Sequence, residues 1–437
     1  MFKIIFHQLW NQRRMNGWIF AELLVVTFFL WITVDPICVL TGTRNIAPGY
    51  ESKGRYVVRL GTYQSSHGNY KEESQNDSLR VSYYYHVARL LRDLPEVESY
   101  TIPVQLCFPN SMNWSGGQLF RDTAAISEDK FVHHQFYSFV TIEGSNPFST
   151  YGLKDVRTGE DLQMPEDCTN RVFVSENLAR ELFGGIDVIG KKVYYSYKGA
   201  SEIAGVFADY KHFDYGQPYA LMISFEKEIV ANRWMHWRYP FVLKLKKGVD
   251  EKAFEARFRE EIVPQLSIGN LYFSSLKKFS EISNEYSEMT GTNNKYRLQY
   301  ALVAFVILCI FLGMLGSFWI RCNARRQEIG VMRSMGASQQ RIMIQFLVEA
   351  VMLVTVAFLC MLPVLFNYVY INGMATSLPG GTMPVLNSAY WMNNFGEHFG
   401  VVSLVTYLIL LVISLLGTII PVTRASRVLP AEALRDE

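Results

Sequence analysis

The sequence lacks a strong excess of either charge. Among its 437 residues, 42 are lysine or arginine and 40 are aspartate or glutamate, giving a formal net charge of +2. Proteins that bind nucleic acid usually carry a clear basic excess, and a strongly acidic chain would attract basic partners. The near balance therefore argues against nucleic acid as a partner.

Motifs for catalysis and metal binding are also missing. The chain contains no H-x3-H or H-E-x-x-H spacing, and the adjacent His133 and His134 diverge on either a helix or a strand. It has no G-x-S-x-G motif and no cysteine and histidine signature of a nucleophilic enzyme. We therefore predict that the chain is not an enzyme and holds no cofactor or metal.

One segment comes close to a phosphate-binding loop. Residues 185–192 read GIDVIGKK, but Lys192 occupies the position where a serine or threonine would hold magnesium. The segment also follows a predicted helix and opens a predicted strand, the reverse of a phosphate-binding loop. We interpret it as a turn that enters a strand.

Four apolar segments are long enough to cross a bilayer, which takes roughly 20 helical residues. They predict an integral membrane α-helical protein with transmembrane helices at residues 18–40, 300–320, 342–370 and 401–422. The first apolar run is too long for a signal peptide, and Asp35 and Pro36 follow where a cleavage site would lie. We therefore predict an uncleaved anchor.

Basic residues in short flanks normally stay in the cytoplasm. They cluster before the first segment, after the second and in the tail, whereas residues 371–400 contain no lysine or arginine. This pattern predicts that both termini, the segment 321–341 and the tail 423–437 are cytoplasmic. Residues 371–400 would form a short external loop, and residues 41–299 would form one large extracytoplasmic domain.

The extracytoplasmic domain alternates strand-like and helix-like stretches, which predicts an α+β fold. Residues 171–207 read as strand, helix and two strands, with Ser175 as helix N-cap and Gly184 as its C-terminal stop. Because the stretch after residue 238 resembles the first part, we predict two subdomains. Residues of about 44–145 and 238–295 would form the first, and about 150–235 a smaller inserted one.

Some features of the predicted membrane region have two interpretations. Residues 1–17 fit an amphipathic helix on the inner leaflet, although they could also begin the first span. Glu22 and Glu349 are costly in lipid, so they should face protein, either within the chain or in another subunit. A disulfide between Cys107 and Cys168 stays open at this stage.

The segment between the second and third spans predicts a short helix from Arg325 to Met335. Its apolar residues Ile329, Met332 and Met335 share one side, and its charged residues lie elsewhere. Gly336 suits a C-terminal cap in the left-handed conformation, and Ser338 suits the N-cap of the third span. The result would be a rigid lever at the membrane surface.

This segment, RRQEIGVMRSMGAS followed by QFLVEAVML, resembles the signature of MacB/FtsX-type ABC transporter permeases. The ending PVTRASRVLPAEALRDE and the stretch VFVSENLARELFGGIDVIGKKV are similar to the closing pattern and the inserted periplasmic subdomain of the MacB group. Together with the four spans, the resemblance covers nearly the whole chain.

The resemblance implies a permease subunit in the bacterial inner membrane that forms a homodimer or heterodimer. ATP and magnesium would be bound by a separate ABC ATPase, because the fused N-terminal ATPase of MacB is missing here. A periplasmic adaptor and an outer-membrane channel are further partners that the resemblance suggests. The ATPase interface it implies consists of Arg325, Arg326, Glu328, Ile329, Gly330, Met332, Arg333, Met335, Gly336, Ala337 and Ser338.

Three functional hypotheses follow. The first is mechanotransmission, in which ATP hydrolysis moves the periplasmic domain for export, efflux or lipoprotein extraction. The alternative is FtsX-like signalling to a periplasmic enzyme or a sensor kinase. An ion-coupled secondary transporter is disfavoured, because the four spans contain no inverted repeat and no cluster of charges at mid-depth. The substrate and the choice between transport and signalling stay open.

Overall fold

The computed structural model describes residues 13–112, 115–196, 199–231, 235–374 and 390–426. These residues fall into two compact units. The membrane unit contains residues 13–42 and the described residues from 293 onward, and the extramembrane unit is Thr43–Thr292.

The structure has the following main elements in chain order, named for use below. They are α1 (Arg13–Asn45), β1 (Arg55–Thr62), α2 (Asp77–Arg92), β2 (Val97–Val104), β3 (Gly116–Phe120), α3 (Thr123–Ser127), β4 (Val132–Val140), α4 (Pro147–Tyr151), β5 (Arg171–Ser175), α5 (Glu176–Phe183), β6 (Lys192–Tyr195), β7 (Ala200–Phe207), β8 (Leu221–Glu226), α6 (Met235–Arg238), β9 (Phe241–Leu245), α7 (Glu251–Arg257), β10 (Leu271–Lys278), α8 (Phe279–Met289), α9 (Thr292–Ala324), α10 (Arg326–Ser334), α11 (Gln339–Asn372) and α12 (Phe395–Ala425).

Short helical turns complete this list. A π-helical turn at Phe258–Ile262 and a 3-10 turn at Val263–Leu266 continue α7. Further 3-10 turns lie at Glu72–Gln75, before α2, and at Trp391–Asn393, before α12.

Four helices, α1, α9, α11 and α12, are long and apolar enough to cross a membrane. Each extends beyond its apolar segment, because polar residues at both ends continue the helical hydrogen bonding. The helices therefore shorten the predicted loops. Residues 292–299 belong to α9, not to the extracytoplasmic domain, and the connection from α11 to α12 is 373–394 rather than 371–400.

The predicted interfacial helix at residues 1–17 is described only in part. Residues 1–12 lie outside the described part of the chain, and residues 13–17 belong to α1 without a break. The end of that predicted helix is thus the beginning of the first long helix.

A shared apolar core joins the four long helices. It contains Leu30 from α1, Phe318 from α9, Val354 from α11 and Leu410 from α12, all fully buried. Large apolar side chains such as Phe305 are exposed on the outer surfaces of the same helices. This arrangement suits a bundle whose outer surface meets lipid or another protein.

Two carboxylates of the membrane unit, those of Glu22 and Asp35, have polar partners within the chain. A carboxylate in an apolar span needs such a partner, because its charge is unfavourable in lipid. The Ser317 hydroxyl donates a hydrogen bond to Glu22 Oε2 at 2.7 Å, and a Cβ at Gly313 would collide with Glu22 Oε1. Glycine therefore makes the room for the carboxylate of α1 beside α9. At the other end of the bundle, His398 Nε2 lies 2.7 Å from Asp35 Oδ1, with both residues buried.

The first sheet of the extramembrane unit has the order β10-β1-β9-β2, and all its pairs are antiparallel. Helix α2 packs on one face through residues such as Tyr84 and Leu91, beside Phe254 of α7. Helices α4 and α8 cover the other face through residues such as Phe148 and Phe279. The unit is therefore α+β, as the sequence predicts.

An antiparallel pairing of β2 with β4 continues the hydrogen bonding into six further strands, so that all ten form one sheet. These six strands, called the second sheet below, close into a ring. Its order is β4-β3-β6-β7-β5-β8, and a parallel pairing between β4 and β8 joins the two ends. The predicted boundary between subdomains is wrong here, since residues 116–120 and 132–140 were assigned to the first subdomain. Their strands, β3 and β4, pair with β6 and β8 of the second sheet.

Local signals around α5 act as predicted. The Ser175 hydroxyl accepts a hydrogen bond from the Leu178 amide, and Gly184 ends the helix at φ 77°. Residues 185–191 then lead into β6, so the near match to a phosphate-binding loop has no helix after it. All six cysteines, including Cys107 and Cys168, are free thiols.

Two buried histidines make the extramembrane unit sensitive to acid. Burial lowers the pKa of His212 to about 4 and that of His134 to about 4 as well. The His212 Nε2 lies 3.0 Å from the Ser111 carbonyl oxygen, and its Nδ1 contacts the Tyr137 hydroxyl. The neutral ring with a proton on Nε2 satisfies both contacts.

We therefore expect the extramembrane unit to lose stability as the pH falls. An unfolded histidine has a pKa of about 6.5, so it gains a proton between about pH 6.5 and pH 4 while the folded ring stays neutral. Each of the two histidines then lowers the free energy of unfolding by about 2 kcal/mol between pH 7.5 and pH 5. Urea unfolding of the full chain in detergent, followed by tyrosine fluorescence, measures this loss.

Two histidine variants test whether the loss of stability at low pH comes from His212. His212→Gln keeps groups that can donate to Ser111 and accept from Tyr137, and it should reduce the pH dependence. His67→Gln makes the same substitution at an exposed histidine and serves as the control for the change of residue type. An identical pH slope in wild type and His212→Gln would contradict the assignment.

Candidate functional site

Helix α10 is a short amphipathic helix held between α9 and α11. It ends through Gly336, whose φ of +88° lies in the left-handed region. The Gly336 amide donates to the Arg333 carbonyl at 3.1 Å and the Ala337 amide to Met332 at 3.0 Å. The Ser338 hydroxyl then accepts from the Arg341 amide at 3.2 Å and caps α11. Both predicted caps are confirmed.

One face of α10 is buried against the ends of three long helices. Ile329 is 2% exposed, and it packs in a cluster with Cys322 of α9, Phe346 of α11 and Val422 of α12. Gly330 is buried as well. Because this cluster draws on every neighbouring helix, a displacement of α10 would disturb the packing of α9, α11 and α12 together.

A buried ionic network ties the beginning of α10 to the bundle. Glu349 Oε2 accepts hydrogen bonds from Arg321 Nη2 at 2.6 Å and from Arg325 Nη1 at 2.8 Å. The guanidinium of Arg325 also makes two bonds to the Glu328 carboxylate, at 2.7 Å and 2.9 Å. The network thus runs from α9 through α11 to α10.

The network lies almost completely out of water. The side chains of Arg321 and Glu349 are each 1% exposed and that of Arg325 is 3% exposed, whereas Glu328 is 37% exposed. The Arg325 guanidinium also lies over the Phe346 ring, 4.7 Å from its centroid. Burial makes each of these charges dependent on its partner, because an unpaired charge in such a place is very costly.

The network retains unused hydrogen-bonding capacity. Arg321 Nε and Nη1 and Glu349 Oε1 have no hydrogen-bond partner within the described residues. Two arginines therefore share one carboxylate oxygen while the other oxygen stays unpaired.

The opposite face of α10 is exposed and weakly polar. It carries Gln327, Val331 and Met335 at successive helical turns, with Ser334 beside them. Val331 is 45% exposed and Met335 is 75% exposed. We call these four residues the exposed face of α10. It offers an apolar ridge at the surface of the membrane unit.

The structure separates the eleven predicted interface residues into three groups. Arg325, Ile329 and Gly330 are buried, and Arg326, Glu328, Met332, Arg333 and Ala337 are partly buried. Met335, Gly336 and Ser338 are exposed. The prediction that the charged residues lie away from the side of Ile329 is therefore wrong for Arg325, and the placement of Met335 on the side of Ile329 is wrong as well. Arg325 turns inward because Glu349 offers a buried carboxylate.

Arg321 and Glu349 are the main residues of this site that are absent from the predicted set. Glu349 was expected to face protein because a carboxylate in an apolar span needs a partner, but nothing in the spacing points to Arg321. Val331 and Gln327 were also left out. Both are exposed, and they lie four residues apart on one side of α10.

The chemistry at this site is ionic and structural. Both carboxylates of the network already pair with arginine, which leaves a poor environment for a cation. Within the described residues no group of three or more histidine, cysteine, aspartate or glutamate side chains could hold a metal ion. The site thus joins α9, α10 and α11 through buried charges and leaves one side of α10 exposed.

Residues 300–430 match the family model described as FtsX-like permease C-terminal. This range contains α10, α11 and α12 and most of α9. The buried network and the exposed face of α10 therefore lie within the matched domain.

Curated relatives of the chain include export proteins with both ATP-binding and permease parts. One relative is the probable syringafactin export ATP-binding/permease protein SyfD of Pseudomonas syringae pv. tomato. The chain is 26% identical to it over 186 residues, and the aligned region covers 41% of this chain and 26% of the relative. The chain is 24% identical over 185 residues to the macrolide export ATP-binding/permease protein MacB 1 of Yersinia pestis bv. Antiqua, covering 41% and 27%. The matches span about a quarter of the length of these relatives.

Solved structures similar to the chain include parts of two other bacterial proteins. The periplasmic region of MacB from Actinobacillus actinomycetemcomitans matches with a TM-score of 0.32 and 13% identity, covering 55% of this chain and 95% of that one. A domain of a putative permease protein from Porphyromonas gingivalis matches with a TM-score of 0.32 and 17% identity, covering 52% and 92%.

Proposed function

We propose that this chain, an ABC transporter permease of the MacB/FtsX type, couples ATP hydrolysis in a separate ATPase subunit to movements of its extramembrane unit. In this proposal α10 lies in the cytoplasm and docks in the ATPase, and the extramembrane unit lies in the periplasm. The main observation behind this proposal is that one face of α10 packs against the membrane helices while the opposite face is exposed.

The exposed face of α10 supports docking. Val331 in α10 and Met335 at its C-terminal cap are exposed, whereas Ile329 is buried and Met332 packs partly buried against the same cluster. Flexible methionine side chains adapt well to a partner surface. A groove in an ATPase could take this ridge as it takes other amphipathic helices, through residues one turn apart.

The buried network supports transmission of force. A push on α10 moves Arg325, and Arg325 shares the Glu349 carboxylate with Arg321 of α9. The unpaired atoms of Arg321 and Glu349 would allow the three charges to exchange partners during the movement. Such a network with two arrangements is what a mechanical switch needs.

The biological task we propose is export, efflux or lipoprotein extraction, carried out by a dimer of permease chains in the bacterial inner membrane. Support comes from the relatives, which are themselves described as export proteins. Signalling to a periplasmic enzyme or a sensor kinase is the competing task. ATP and magnesium would bind to the ATPase partner, and this chain would carry no catalytic residue.

A pull-down from membranes tests this proposal. The full chain carrying an affinity tag, extracted in mild detergent, should retain an ABC ATPase that mass spectrometry identifies. Recovery of a periplasmic adaptor or an outer-membrane channel would support export. Recovery of a sensor kinase or a wall hydrolase would favour signalling instead, and recovery of no ABC ATPase would contradict the coupling role.

A further inference from the structure

A cavity lies between α9 and α12 beside the beginning of α10. Its volume is about 310 Å³, and its lining includes Trp319, Asn323, Arg326, Pro421 and Arg424. This volume is at the small end of the range for ligand pockets. The cavity is lined by three helices, so an occupant would contact α9, α10 and α12 at once.

The lining of the cavity is basic. Arg326 and Arg424 bring two guanidinium groups, and the lining residues that belong to the described part of the chain include no aspartate or glutamate. Within the described part of the chain, Arg424 pairs with no carboxylate, and its guanidinium lies over the Trp319 ring, 5.1 Å from the centroid. Planar guanidinium groups bind phosphate through paired hydrogen bonds, which a lysine cannot imitate.

The surroundings of the cavity fit a lipid better than a soluble anion. Trp319 lies near the end of α9, and tryptophan favours the level of the headgroups in a bilayer. Ile320 and Ile420, next in sequence to two lining residues, are 69% and 49% exposed. Apolar surface for acyl chains thus adjoins a basic pocket for a headgroup.

We infer that the cavity binds the phosphate of an anionic phospholipid headgroup, with Arg424 and Arg326 as its ligands. The inference rests on the proposed function in one respect, since it takes the α10 end of the bundle to face the inner leaflet, where basic pockets between spans bind anionic lipids. Because Arg326 begins α10, the bound lipid would help to hold α10 against α9 and α12.

Native mass spectrometry of the full chain tests the inference without any ATPase. The purified protein is titrated with phosphatidylglycerol and, separately, with phosphatidylcholine. We expect phosphatidylglycerol to bind at least tenfold more tightly than phosphatidylcholine. Arg424→Gln should lower the affinity for phosphatidylglycerol at least tenfold, and Trp319→Leu should lower it by a smaller factor. Arg341→Gln removes one charge from an exposed residue outside the cavity and should bind like wild type.

Three results would overturn the inference. One is equal binding of the two lipids, and another is equal loss in Arg424→Gln and Arg341→Gln. The third is complete displacement of the lipid by millimolar inorganic phosphate, which would assign the cavity to a soluble anion. If Arg424→Gln has the same thermal midpoint as wild type, the variant is folded and its lipid affinity can be interpreted. If its midpoint differs, the lipid affinity of Trp319→Leu provides the test instead. Because no ATPase is present, failure here leaves the coupling proposal untouched.

Discussion

Replacing Glu349 with alanine is expected to lower the free energy of unfolding of the membrane unit by about 3–5 kcal/mol, the usual loss when one partner of a buried ion pair is removed. Among the residues that the structure describes, Glu349 is the carboxylate that pairs with Arg321, and both side chains are 1% exposed. Alanine would leave the Arg321 charge buried without a counterion. Arg325 would suffer less, since it keeps the Glu328 carboxylate.

The loss can be measured by unfolding the helices in mixed detergent and SDS micelles, with wild type and variant side by side. Glu349→Gln preserves the shape and one acceptor oxygen, so it should lose less than alanine does. The two variants together separate the effect of charge from the effect of the cavity that alanine leaves.

A double variant provides the sharper control. Arg321→Met with Glu349→Met removes both charges of one pair and fills the space with apolar atoms. Such replacements are often neutral or stabilising, so the double variant should recover most of the stability that Glu349→Ala loses. If the double variant is as unstable as Glu349→Ala, the cost comes from packing and the ionic account is wrong.

Local signals allowed part of this site to be predicted from the sequence. Gly336 and Ser338 were predicted as caps because glycine tolerates a left-handed backbone and serine accepts a bond from a helix amide. Both effects involve residues within one turn of each other. The four long helices were predictable for a similar reason, since an apolar run of about 20 residues is a local pattern.

Contacts between distant residues could not be predicted in this way. Arg321 and Glu349 lie 28 positions apart, and no periodicity connects them. Arg325 bonds to the same Glu349 carboxylate, which no local pattern predicts. The exposure of Met335 does follow from helix geometry, because residues that share a face with Ile329 lie three or four positions away. The second sheet provides another example. The parallel pairing of β4 with β8 joins segments about 85 residues apart in sequence, and the predicted subdomain boundary separates these two strands.

The second large effect is expected on the exposed face of α10. If this face docks in an ATPase, the double variant Val331→Asp with Met335→Asp would place two carboxylates in an apolar contact without partners. Burying unpaired charge costs several kcal/mol, and even 2 kcal/mol weakens binding about 30-fold. We expect the affinity for the ATPase to fall about 100-fold or more.

The variant should nevertheless fold normally. Val331 and Met335 are 45% and 75% exposed, and neither belongs to the buried network. A matched control, Val331→Ile with Met335→Leu, alters the same positions but keeps them apolar. It should bind the ATPase nearly as well as wild type, and both double variants should show the wild-type thermal midpoint.

The most direct test is the rate of ATP hydrolysis by the ABC ATPase that copurifies with the chain, measured in liposomes with each form of the permease. Wild type and the Val331→Ile, Met335→Leu control should change the rate of the isolated ATPase to the same extent. The Val331→Asp, Met335→Asp variant should leave the ATPase at its isolated rate. Full coupling by the aspartate variant would contradict the proposal that α10 is the docking helix.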